Sequence, residues 1–200
     1  MTDVSYTRGS GLLEGFLAKK RSDKANSFIP KSFRGGKILD IGCGSYPYFL
    51  ISTDFKQKYG VDPSVAANLV KEKNIFLSKI KIDDKKLPFK NDFFDVVTML
   101  AVFEHIEHDK LINVLGEVKR VLRNNGIFII TTPAPWSDKL LHIMARTGLI
   151  SKEEIHEHKH NQTKAEIESV INKAGFNKKN VKSGYFELGL NMWFLIKKWN

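Results

Sequence analysis

The feature that most constrains this chain is a regular alternation of short apolar runs with segments of helical spacing. Each return from strand to strand through a helix favours a mostly parallel sheet covered by helices. Strands are read at Lys37-Ile38-Leu39-Asp40-Ile41, Lys58-Tyr59-Gly60-Val61, Ile80-Lys81-Ile82, Phe94 to Leu100 and Ile127-Phe128-Ile129-Ile130. The fourth is almost wholly apolar, as a strand buried on both faces should be. Between and around them, residues 10–30 carry Leu12, Leu13, Phe16 and Leu17 at helical spacing, and Leu111 to Leu122 carries a second apolar stripe. Asn124-Asn125-Gly126 breaks the chain before strand five. Thr163 with Glu166 forms a capping-box start for a helix that ends near Ala174-Gly175. Val181 to Glu187 and Asn191 to Lys197 read as a closing hairpin. Together these predict a doubly wound, seven-stranded α/β sheet, mostly parallel, with an antiparallel strand near one edge.

No repeat, low-complexity tract or linker divides the 200 residues, so residues 1–200 are read as one domain. An apolar content of 42% and a charged content of 27% exclude a disordered or fibrous chain. No apolar run reaches the roughly 20 residues of a membrane span, and Met1 to Ser5 lack a secretory pattern. Cys43, the single cysteine, excludes an internal disulfide and fits a reducing cytoplasm. The net charge of +10 raises a nucleic-acid partner. The excess is dispersed lysine rather than clustered arginine, and arginine is the residue that grips phosphate bidentately. The charge is therefore read as a solvated surface, with nucleic acid the less favoured partner.

Ligands of open α/β sheets bind beyond the carboxyl ends of the strands. The unusual residues fall there. Gly42 and Gly44 close strand one and permit a tight turn with close backbone approach. Asp62 follows about 20 residues later, where a carboxylate can accept both ribose hydroxyls of an adenosine. Asp83 and Asp84 could meet the adenine edge, and Asp40, beneath the turn, suits an ammonium group. Cys43, Pro63 and Ala101 flank these positions and complete the candidate cofactor set, Cys43 as a packed loop residue rather than a nucleophile. A dinucleotide site wants a third glycine for helix packing and pyrophosphate. Pro47 stands there instead.

The run Ile38-Leu39-Asp40-Ile41-Gly42-Cys43-Gly44, then Gly60-Val61-Asp62, Asp83 with Leu87-Pro88-Phe89, Asp92 to Val97, Glu104-His105-Ile106 and Glu117 to Leu122 before Gly126 resembles the class I S-adenosylmethionine-dependent methyltransferases. The resemblance covers about residues 10 to 180 and implies a Rossmann-like fold and S-adenosylmethionine as cofactor. It implies that Asp40, Gly42 and Gly44 border the methionine half, that Asp62 holds the ribose and that Asp83 meets the adenine. Tyr46 stands where many members carry a small residue.

Methyl transfer from a sulfonium is an in-line displacement that leans on positioning, with a base needed only for a protonated acceptor. His105, after strand four, is one candidate base, or a residue that orders its loop. His158 and His160, in the run His156-Glu157-His158-Lys159-His160, are candidate bases or acceptor contacts. No cysteine or acidic set completes a metal site around them. Residues 136–162, with an apolar stretch to Ile150, read as an acceptor lid or as core packing. The terminal Trp193 to Trp199 reads as the last strand, with a membrane-surface anchor as the alternative. The expected function is methylation of a small or carrier-linked metabolite. An RNA or protein methyltransferase, or a non-catalytic S-adenosylmethionine-binding scaffold, are the alternatives.

Overall fold

Seven strands form one sheet in the computed structural model, which describes residues 14–66, 72–82, 86–137 and 162–199. They are β1 (Lys37–Ile41), β2 (Gln57–Val61), β3 (Ile75–Ser78), β4 (Phe94–Leu100), β5 (Leu122–Pro133), β6 (Val181–Phe186) and β7 (Asn191–Lys197). Their order is β3-β2-β1-β4-β5-β7-β6. The first five run parallel, and β7 enters antiparallel between β5 and β6. The strands are added outward in one direction from β1 to β3 and in the other from β4, and this switch between β1 and β4 opens a crevice at their carboxyl ends.

Both faces of the central strands are covered, which explains their continuous apolar runs. Leu39, Ile41, Val97, Met99, Phe128 and Ile130 face one cluster. It is completed by Leu111, Leu115 and Val118 of helix α3 (His108–Val121) and by Ile167 and Ile171 of helix α4 (Lys164–Lys173). Ile38, Val96, Ile127 and Ile129 face the other. There they meet Ala25 of helix α1 (Glu14–Ser27) and Phe49 and Leu50 of the short helix α2 (Tyr48–Ser52). The capping box starts α4 as read: Glu166 N–H donates to Thr163 Oγ1, and Thr163 N–H donates to Glu166 Oε2 at 2.7 Å. The tail is the predicted hairpin. Met192, Phe194 and Ile196 are buried on β7, so that segment is core strand and not a surface anchor.

Two elements differ from the sequence reading. The third strand is Ile75–Ser78, not Ile80–Ile82. Both segments are short and mostly apolar, but only the earlier one meets β2 in register, with Phe76 stacked on Tyr59 at a centroid distance of 5.0 Å. Ile80 and Ile82 pack against the core without joining the sheet. Nor does Asn124-Asn125-Gly126 precede strand five: it lies inside β5, where the pairing jumps from Phe94↔Leu122 to Val96↔Ile127. Asn125 supplies the left-handed residue (φ 64°) that this bulge needs. Of the expected helix over 10–30, α1 accounts for Glu14–Ser27. Most of the expected lid, 138–161, lies outside the described residues. No helix among the described residues is long and apolar enough to cross a membrane.

Motif residues on α3 hold the loop before β4. Arg120 donates to the carbonyls of Leu87 (2.9 Å) and Phe89 (2.7 Å) and pairs with Glu117 at 2.8 Å, while Glu117 accepts the Leu87 N–H at 3.0 Å. The Arg120 hydrogen bond holds the Glu117 carboxyl below its ordinary 4.5. That part of the stability is present above the ordinary value and is lost as acid protonates Glu117. Arg120→Ala takes a donor from two carbonyls and from the Glu117 carboxylate, which keeps only the Leu87 N–H among these partners, an expected loss of about 2–3 kcal/mol. A thermal melt that shifts by less than a degree or two would show the clamp to be idle.

Candidate active site

The crevice is built from the first loop upward. Gly42 and Cys43 turn their N–H groups onto the Val61 carbonyl, at 2.8 and 3.4 Å, which ties the end of β1 to the end of β2. The two glycines have different reasons. At Gly42 (φ +74°) a Cβ would lie 2.2 Å from a Val102 methyl, so the turn is both left-handed and crowded by the segment after β4. At Gly44 (φ +75°) the nearest atom to such a Cβ is 3.8 Å away, so this stretch of backbone is left open to a ligand. Pro47 then begins α2 without a third glycine.

Asp62 is fully buried at the end of β2. Its Oδ2 accepts the Gly44 N–H at 3.0 Å, and its Oδ1 accepts the Ser64 N–H at 2.7 Å and the Ser64 hydroxyl at 2.5 Å. The carboxylate thus organises the first loop before any ligand arrives. Asp40 is buried at 3% exposure beneath that loop, and Thr98, its register partner on β4, donates a hydroxyl to Oδ1 at 2.7 Å. Desolvation pushes the Asp40 carboxyl up to about 7, opposed by the Thr98 hydrogen bond and reinforced by the charge of Asp62.

Ala101 ends β4 in the left-handed region (φ 54°), with its N–H on the Thr131 carbonyl at 2.9 Å. This bend carries the chain over Gly42. His105 follows in the single turn Phe103–His105, half-buried at the same end of the sheet. Cys43 is buried, packed where a Gly60 Cβ would meet its sulfur at 2.8 Å, which is a packing role. Pro63 is exposed beside Asp62.

Asp40, Gly42, Cys43, Gly44, Asp62 and Pro63 therefore come together at the ends of β1 and β2, with Ala101 and His105 following β4. Asp83, Asp84, His158 and His160 lie outside the described residues. Sequence reasoning missed Thr98 and Ser64, the partners of the two aspartates. The signal for Thr98 was a lone hydroxyl inside an apolar strand. It also missed that Glu104 is buried and accepts the Thr132 hydroxyl at 3.1 Å, which braces the turn holding His105 against β5.

Residues 13–181 match the family model described as a methyltransferase domain. The chain belongs to that family. Its cofactor is S-adenosylmethionine. Over 107 residues it is 33% identical to the uncharacterized protein MJ0638 of Methanocaldococcus jannaschii, a match covering 52% of this chain and 45% of that one. Over 116 residues it is 27% identical to a human protein named probable tRNA methyltransferase 9B, covering 57% of this chain and 25% of that one. The chain thus spans less than half the length of these curated relatives. Among solved structures, a chain from the complex between the Haloferax volcanii Trm112 methyltransferase activator and a methyltransferase superposes with a TM-score of 0.70 at 16% identity, covering 96% of this chain and 99% of that one. The S-adenosylmethionine-dependent methyltransferase of Mesorhizobium loti gives 0.68 at 16%, covering 91% and 100%. At such identities these structures share the fold. The donor set fits the methyltransferase cofactor: an open glycine backbone, a buried carboxylate at the end of β2 and a second, desolvated carboxylate suited to a cation.

Proposed function

We propose that this protein transfers the methyl group of S-adenosylmethionine to a small or carrier-linked acceptor, in the cytoplasm. The observation that carries the reading is Asp62, buried at the end of β2 and already bound to the open backbone of Gly44. In this reading Asp62 holds the ribose hydroxyls, Asp40 the ammonium group, and Asp83 and Asp84 the adenine edge. Pro63 and Ala101 flank the cofactor. When bound, the cofactor supplies an activated methyl on sulfur. The chain's own part is to orient the two reactants and exclude water, and orientation alone can be worth about 7–11 kcal/mol. His105, His158 and His160 are the side chains proposed to contact the acceptor or take its proton.

A small acceptor is favoured by the mouth beside β5. There, among the described residues, Trp136 and Leu188 stand exposed as an apolar rim. A second reading, methylation of RNA, is favoured by the name of the human relative and by the net charge of +10. Calorimetric titration with S-adenosylmethionine, S-adenosylhomocysteine and NAD tests the cofactor. Binding of the two sulfur ligands and not NAD is expected, and absence of binding would remove the reading. Formation of S-adenosylhomocysteine with metabolite pools but not with bulk tRNA separates the two acceptors, and the reverse result would favour RNA.

A further inference from the structure

The turn between β6 and β7 breaks a backbone rule. Glu187 (φ 52°) and Leu188 (φ 56°) are successive left-handed residues, and Gly189 closes the turn onto the Phe186 carbonyl at 3.0 Å. Hairpins put asparagine or glycine at such positions because other side chains crowd there. Strain of this kind persists where surrounding structure imposes it, often at binding sites.

The side chains point to what the turn presents. Leu188 is 98% exposed, while the Glu187 carboxylate is folded in and receives a hydrogen bond from Asn191 Nδ2 on its Oε2. Its Oε1 is buried and has no hydrogen-bond partner among the described residues. A buried acceptor left unmet costs about 1–3 kcal/mol, so a donor reaching this oxygen would be stabilising. Burial raises the carboxyl above its ordinary value, against the opposing charges of Arg21 and Lys20 on α1 and the Asn191 hydrogen bond.

The turn lies at the cofactor end of the sheet. Asn191 pairs with Pro133 at the end of β5, and Ala134 N–H donates to the Leu190 carbonyl at 2.8 Å. Trp136, 56% exposed, lies against Gly189, where a Cβ would sit 3.0 Å from the indole. A carboxylate and an exposed indole carried by the same turn, Glu187 within it and Trp136 against its Gly189, are the two groups that hold an alkylammonium by charge and by cation–π attraction.

We propose that Glu187 and Trp136 form an acceptor-recognition site that takes an ammonium group at the β6–β7 turn, beside the methyl-transfer crevice. This rests on the reading that the acceptor enters at the ends of β4 and β5. The test uses hexylamine and hexanoate at neutral pH, followed by tryptophan fluorescence in the full chain, with Trp136→Phe to assign the signal. Hexylamine should give a saturable change that is absent from Trp136→Phe and is weakened about tenfold or more in Glu187→Gln, the loss of one charge-assisted hydrogen bond. Hexanoate should give none. An equal response to hexanoate, no response to hexylamine, or unchanged affinity in Glu187→Gln would overturn the proposal. Calorimetry with S-adenosylhomocysteine on the same variant keeps the two readings apart. Retained binding there shows that Glu187→Gln is folded. Cofactor binding without an amine response sinks this site alone, whereas an amine response without cofactor binding sinks the methyltransferase reading and leaves the site standing.

Discussion

Asp62→Ala will bind S-adenosylmethionine at least about 100-fold more weakly than the native chain. Two separate losses add. In the proposed reading the ribose hydroxyls lose a carboxylate, at about 1.5–3 kcal/mol for each charge-assisted hydrogen bond. The first loop also loses its anchor, because Asp62 is what accepts the Gly44 N–H and closes the Ser64 turn. Asp62→Asn keeps an acceptor for Gly44 and should fall between the two. Ser64→Ala is the control, since it removes a partner of Asp62 without touching the carboxylate, and should cost less than either. Calorimetry with S-adenosylhomocysteine, with a melt to confirm folding, reads all three. Equal affinity for the native chain and Asp62→Ala would place the cofactor elsewhere on the sheet.

The parts of this molecule that repeat were legible in the sequence. A strand buried on both faces is an almost continuous apolar run, so the bounds of β4 were readable, and the capping box of α4 announced itself through Thr163 and Glu166. What failed depended on a partner strand. Ile75–Ser78 and Ile80–Ile82 are both short, mostly apolar segments, and only pairing with β2 chooses between them. The Asn124-Asn125-Gly126 signal was a true turn signal, but the turn is a bulge spent within one strand. The same division holds in the site. Gly42, Gly44 and Asp62 stand out as candidates because they close strands, where open sheets take their ligands. Thr98 and Ser64 were not, since a hydroxyl is recognised as a partner only once its carboxylate is across from it. The closing hairpin was legible but the left-handed pair at Glu187 and Leu188 was not, because Glu-Leu is not what such a pair usually looks like.

Cofactor affinity in the native chain will rise with pH up to about 7 and then level off, and Asp40→Asn will abolish that dependence together with most of the affinity. The cause is burial. With water removed and Asp62 nearby, the Asp40 carboxyl reaches about 7 although Thr98 donates to it. An ammonium group set against it needs the ionised form, so below pH 7 binding must expel a proton and weakens by up to about tenfold for each pH unit. Near pH 6, calorimetry in buffers of different ionisation heat should therefore show net proton release on binding. Stability carries the opposite sign. A carboxyl raised in the folded state keeps a proton that the unfolded chain gives up above 3.8. The native protein therefore loses stability as pH climbs from about 4 to about 7, by roughly 4 kcal/mol at most. Asp40→Asn has no such proton to keep. Its melting point should gain on the native chain through that window while its cofactor binding stays weak and flat with pH. A variant that binds as tightly as the native chain, or a native affinity that ignores pH between 5 and 7, would mean that Asp40 faces the β-sheet core and not the cofactor.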